Sequence, residues 1–110
     1  ATAMVADLRT ARSKAMSGEE SLKWGVRFIN SANNNNYELF STPIDYQNAS
    51  TSIKSATYLS GGVVFTNPPS ASSTDVIFNK ITGTATTTSI TISFEENSKT
   101  INIGSNGNIY

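Results

Sequence analysis

Apolar residues in this chain recur at two different periods, and the change comes after residue 18. Over residues 3–16 they recur at helical spacing. Met4, Leu8, Ala11 and Ala15 are four, three and four apart, which sets them on one face, and Val5 and Met16 widen that stripe. Ala, Leu, Arg, Lys and Met are good helix formers. Ser17-Gly18 supplies a stop. Thr2 is a poor start, because Val5 stands where a capping box wants Glu or Gln. A free helix of about 14 residues is marginal in water, so this one needs a surface to lean on.

Beyond Gly18 the period becomes two. Leu22, Trp24, Val26 and Phe28 alternate with Lys23, Gly25 and Arg27, which predicts a strand with one buried face. NNNN at 33–36 predicts a turn, and YELFST at 37–42 the returning strand of a hairpin. Residues 43–55 are polar and give no periodic signal. ATYL and GGVVFT predict short strands around Gly61-Gly62, NPPSASST at 67–74 a surface loop, and DVIFN at 75–79 another strand. Ile90, Ile92 and Phe94 alternate with Thr91, Ser93 and Glu95. Glu96-Asn97-Ser98 turns the chain, Ile101 and Ile103 return, and Asn106-Gly107 makes a last tight turn before Ile109-Tyr110. The predicted fold is α+β: one amphipathic N-terminal helix (1–17) packed on about seven antiparallel strands (18–110), in a single domain. Leu22, Trp24, Val26 and Phe28 are the expected helix–sheet core, with Gly25 allowing the helix a close approach.

Composition narrows the chemistry. The 110 residues hold no Cys and no His, which removes thiolate and imidazole ligands and the commonest nucleophile and general base. Eight basic and eight acidic residues cancel, so net charge gives no case for nucleic acid or an anionic membrane. No apolar run is long enough to span a bilayer. Five of the eight cations, Arg9, Arg12, Lys14, Lys23 and Arg27, lie in the first quarter.

The ordered set of segments resembles a known group. LRTARSKAM on a helix, then KWGVRFIN, GGVVFT, DVIFNKITGTA and KTINIGSNGNIY, is similar to the GspH/FimT pilin-like proteins. These are minor pseudopilins of type II secretion and minor pilins of type IV pili. The resemblance implies a structural subunit and no enzyme. It also implies a longer, mostly apolar helix upstream that anchors the subunit in the inner membrane and later joins the filament core. On that reading 1–17 is the second half of the helix, and the partners are other pilin or pseudopilin subunits. The location is the bacterial envelope or an extracellular filament. Met4, Val5, Leu8, Ala11 and Ala15 are then the expected assembly stripe. Arg9, Arg12 and Lys14 are candidates for charged contacts with a neighbouring subunit, set against a solvated face paired locally with Glu19 and Glu20.

Other chemistry is weaker. Asp75, Glu95 and Glu96 are too sparse for a calcium cage. Ser13 and Lys14 are neighbours on a helix and point about 100° apart, so they form no dyad. Asn48-Ala49-Ser50 matches a glycosylation sequon, a frequent coincidence in a chain rich in Ser, Thr and Asn. No Lys or Arg follows Lys99, so the tail has no charge for DNA. No metal, cofactor or small-molecule substrate is implied. The competing reading is a free-standing extracellular β-module that binds carbohydrate through an exposed Trp24 or a Tyr.

Overall fold

The computed structural model describes residues 2–18, 22–31, 34–47, 49–59, 63–69, 71–94 and 97–110. One helix, α1 (Thr2–Met16), precedes seven strands: β1 (Lys23–Ser31), β2 (Asn34–Thr42), β3 (Ser52–Tyr58), β4 (Val63–Asn67), β5 (Ser72–Phe78), β6 (Thr88–Phe94) and β7 (Asn97–Ile103). They form two antiparallel sheets, ordered β3-β2-β1-β5 and β4-β6-β7. The α+β class and the strand number agree with the periodicity.

Strand β1 is central because it alternates most cleanly. Trp24, Val26 and Phe28 are buried on one face, aligned with Ser41, Leu39 and Tyr37 of β2 and with Phe78, Val76 and Thr74 of β5. The helix lies across β1, β2 and β5. Met4, Leu8, Ala11 and Ala15 are at most 2% exposed there, joining one core with Trp24, Val26 and Phe28. Burying Leu8 and Met4 contributes about 2 kcal/mol each, and this makes a short helix stable. The helix ends as the sequence predicts: Ser17 N–H donates to Ser13 O at 3.0 Å and Gly18 N–H to Ala15 O at 3.1 Å.

The second sheet closes the same core. Phe65, Ile90, Ile92, Ile101 and Ile103 are buried. The Phe65 ring meets Phe28 edge-on at 5.9 Å. A polar tie crosses beside it. Buried Asn30 donates through Nδ2 to Phe65 O (3.0 Å) and Pro68 O (2.8 Å), holding β1 to β4 and to the start of the connection that follows it. Replacing Asn30 by Ala leaves two enclosed carbonyls without that donor. The expected loss is about 1–2 kcal/mol in urea unfolding, and a loss below 0.5 kcal/mol would show the tie to be idle.

Several boundaries differ from the periodicity. The β1–β2 ladder continues to Ser31↔Asn34, so Asn34, Asn35 and Asn36 are strand residues and not turn. The unassigned stretch contains the start of β3, whose residues are all exposed. A strand with no buried face has no alternation to show. Strand β5 begins at Ser72, inside the predicted loop, because Ser72 and Ser73 pair with Asn30 and Ile29. Asn97 and Ser98 belong to β7. Gly61, Gly62, Glu95, Glu96 and Asn48 lie outside the described residues. Gly25 does not admit the helix. Alternation turns it to the opposite face from Trp24 and Val26, where a Cβ would overlap Val76 O and meet the Phe40 ring at 3.0 Å.

Candidate assembly surface

Packing one side of α1 on the sheet leaves the other side outward. Ala6, Arg9, Thr10, Ser13, Met16 and Ser17 are exposed, and Arg12 is half-buried. The C-terminal turn lies against this face. Asn102 and Tyr110 exchange backbone hydrogen bonds at 2.7 and 2.8 Å, and Gly104 N–H donates to Asn108 O at 2.9 Å. Arg12 Nη2 donates to Asn106 O at 3.3 Å, tying helix to turn. Gly107 has φ of +87°, and a Cβ there would collide with Gly83 O and Arg12 Nε, so only glycine fits between them. Helix and turn enclose a cleft of about 820 Å³, lined by Arg9, Arg12 and Met16 on one wall and Asn108, Ile109 and Tyr110 on the other.

The sequence-derived candidates fall into separate places. Met4, Leu8, Ala11 and Ala15 are in the chain's own core, so they cannot double as a contact surface without opening the domain. Half-buried Val5 packs against that core. Lys14 is turned inward, its Nζ 5.2 Å from the centre of the Trp24 ring, and Lys54 lies 5.6 Å from the same ring. Trp24 is 2% exposed and offers no open ring face for a sugar. Leu22 is half-buried and precedes β1. Arg9 and Arg12 reach the cleft. Glu19 and Glu20 lie outside the described residues. The cleft's far wall, Asn108 to Tyr110, was not legible locally: the C-terminal turn that carries it is tied to Arg12 through Asn106, 94 positions away.

A second polar cluster covers the outer face of the larger sheet. The Arg27 guanidinium lies 3.9 Å from the centre of the Tyr46 ring. It also lies 3.2 Å from Asp75 Oδ1 and donates to Ser73 Oγ at 3.0 Å. Tyr46 Oη donates to Glu38 Oε1 at 2.6 Å, and its ring meets buried Phe40 edge-on at 5.0 Å. Burial pushes the Asp75 carboxyl above the usual carboxylate range. Arg27 opposes that shift, and Asp45 and Glu38 add to it. The Tyr46 phenol is pushed up chiefly by burial, then by its bond to Glu38. This cluster pins the 43–51 connection to the sheet, which is a structural task. Among the described residues no group of three or more Asp or Glu is placed to hold a metal, and Asp75 is paired with Arg27.

An amphipathic helix laid on antiparallel sheets, its outer face flanked in part by the C-terminal turn, is a pilin-like arrangement. Residues 1–107 match the family model described as "Type II transport protein GspH", and the chain belongs to that family. At family level this is a structural pseudopilin of type II secretion, a component of the cell envelope. No curated protein and no solved structure matches the chain. No helix among the described residues is long and apolar enough to cross a membrane.

Proposed function

We propose that this chain is the globular part of a minor pseudopilin or minor pilin, which joins or primes a type II secretion pseudopilus or a type IV pilus-like filament. The observation that carries the reading is the division of α1 into two faces, within a chain that matches the GspH family along its length. One face is committed to the domain's own sheet. The other is long, exposed and continuous with the helix start, where an upstream membrane-anchoring segment would lead in. Contacts with neighbouring subunits then fall on Ala6, Arg9, Thr10 and Arg12, and Met4, Leu8, Ala11 and Ala15 hold the helix in place. Subunits meeting through two different surfaces build an open helical filament, the geometry a pseudopilus requires.

The test separates folding from assembly. Ala6→Glu with Thr10→Glu puts two charges on exposed positions, so unfolding free energy should change by less than about 0.5 kcal/mol. In cells the full-length variant should be lost from the sheared filament fraction, or secretion should fall at least tenfold. Wild-type incorporation of a folded double variant would remove the outer helix face from assembly.

A further inference from the structure

The cleft between α1 and the C-terminal turn carries a more specific reading, which rests on the subunit proposal for the source of its ligand. Arg9 and Arg12 are three apart on the helix, so their Cβ atoms are about 5–6 Å apart and like charges face each other. Among the described residues neither guanidinium makes an ion pair. Arg12 has one hydrogen bond, to Asn106 O, and its Nε is enclosed without an acceptor. No carboxylate side chain lines the cleft. Two arginines beside one another, with no acidic side chain among the described residues that line the cleft, favour an anionic occupant.

The remaining wall residues define its shape. Met16 lies one helical turn beyond Arg12, about 6 Å along the axis, and is 41% exposed. Ile109 and Tyr110 face the cleft from the other side, with Tyr110 72% exposed. An extended peptide puts side chains i and i+2 on one face about 6.6–6.8 Å apart. A strand running along α1 would therefore set carboxylates at i and i+2 against Arg9 and Arg12. Its apolar side chain at i+4 would then reach Met16, Ile109 and Tyr110. We propose that the cleft binds an extended acidic segment of pattern Glu-x-Glu-x-Leu, or its Asp equivalent, presented by a neighbouring subunit. The carboxylates supply the anchoring hydrogen bonds and the apolar residue fixes direction and register.

The probe is a fluorescein-labelled peptide GESESLG, titrated with the 110-residue chain by fluorescence polarisation against its neutral counterpart GQSQSLG. The acidic peptide should bind saturably and at least tenfold more tightly than the neutral one. Arg9→Gln with Arg12→Gln should weaken binding at least tenfold. Arg9→Gln alone, at an exposed position with no structural bond, should weaken it measurably with an unchanged thermal melt. Met16→Ser should weaken it without altering the preference for Glu over Gln. Equal affinity for the two peptides, or no effect of Arg9→Gln, overturns the proposal. So does displacement by inorganic phosphate or a single-stranded oligonucleotide at lower concentration than unlabelled peptide, which would reveal a general anion site. Peptide binding that fails while filament incorporation stays sensitive to Ala6→Glu/Thr10→Glu removes this cleft alone. Incorporation that ignores those changes removes the subunit proposal.

Discussion

Replacing Phe28 by alanine should lower the unfolding free energy by about 3–5 kcal/mol, the range for deleting a fully buried aromatic side chain. Phe28 is 0% exposed at the middle of the central strand. It touches both halves of the domain: Tyr37 on its own sheet, at 6.1 Å, and Phe65 on the other, edge-on at 5.9 Å. Truncation opens a void between two sheets whose spacing is fixed by their other pairs, so collapse is incomplete and the cavity cost adds to the lost transfer energy. A domain of this size has about 5–15 kcal/mol in total. The variant should therefore melt roughly 15–25 °C lower. Phe28→Leu, which keeps most of the volume, should lose less than half as much. Ile53→Ala, on an exposed β3 position, should stay within about 0.5 kcal/mol of wild type. Urea unfolding by Trp24 fluorescence measures all three. A loss below 1 kcal/mol at Phe28 would mean that the sheets do not share one core.

The contrast between Phe28 and Ile53 also explains which elements could be read from the sequence. Period-two patterning comes from burying one face and exposing the other. Strand β1 does this, and so does the β6–β7 hairpin around Ile90, Ile92, Ile101 and Ile103. Those elements were legible almost to the residue. Strand β3 buries neither face and pairs along the edge of β2, so only its end was legible, in the ATYL segment, and Ser52–Ser55 gave no periodic signal. The Ser/Thr tract at the start of β5 and the asparagines of β2 were misplaced for the same reason: their pairing is dictated by a partner strand and not by their own polarity.

The helix shows a different limit. Its stripe was visible in the spacing of Met4, Leu8, Ala11 and Ala15, but a stripe does not say what covers it. The sheet provides enough apolar surface for all four, so the proposal places subunit contacts on the opposite face. Lys14 was equally ambiguous: only the fold shows that its ammonium lies over Trp24. The cleft is assembled from residues about 100 positions apart, and no local pattern encodes such a meeting.

Removing the Arg27 guanidinium should produce a loss of stability that grows with pH. Among the described residues Arg27 is the cation that offsets Asp75, whose neighbours include Glu38 and Asp45, and its guanidinium lies over the Tyr46 ring. Arg27→Met keeps most of the side-chain volume and removes the charge. At about pH 7 the expected loss is about 2–3 kcal/mol, below the value for a fully buried pair because both partners keep some solvent contact. The direction with pH follows from Asp75. Its folded-state pKa is already raised, by burial first. Between its unfolded and folded values the native state therefore holds the proton that the unfolded chain has released. Its contribution is fully present below the unfolded value and is lost as pH rises through the folded one. Arg27 opposes that shift, so removing it raises the folded pKa further and extends the decline to higher pH. Near pH 3, with Asp75 protonated, the deficit should shrink to about 1 kcal/mol, the share of the lost contact with the Tyr46 ring. Adding Asp75→Asn to Arg27→Met should recover part of the neutral-pH loss and flatten the profile. Urea unfolding of the two variants and wild type from about pH 3 to pH 8 decides it. A deficit that is constant across that range would assign Arg27 to packing alone and leave the carboxylates around it electrostatically indifferent.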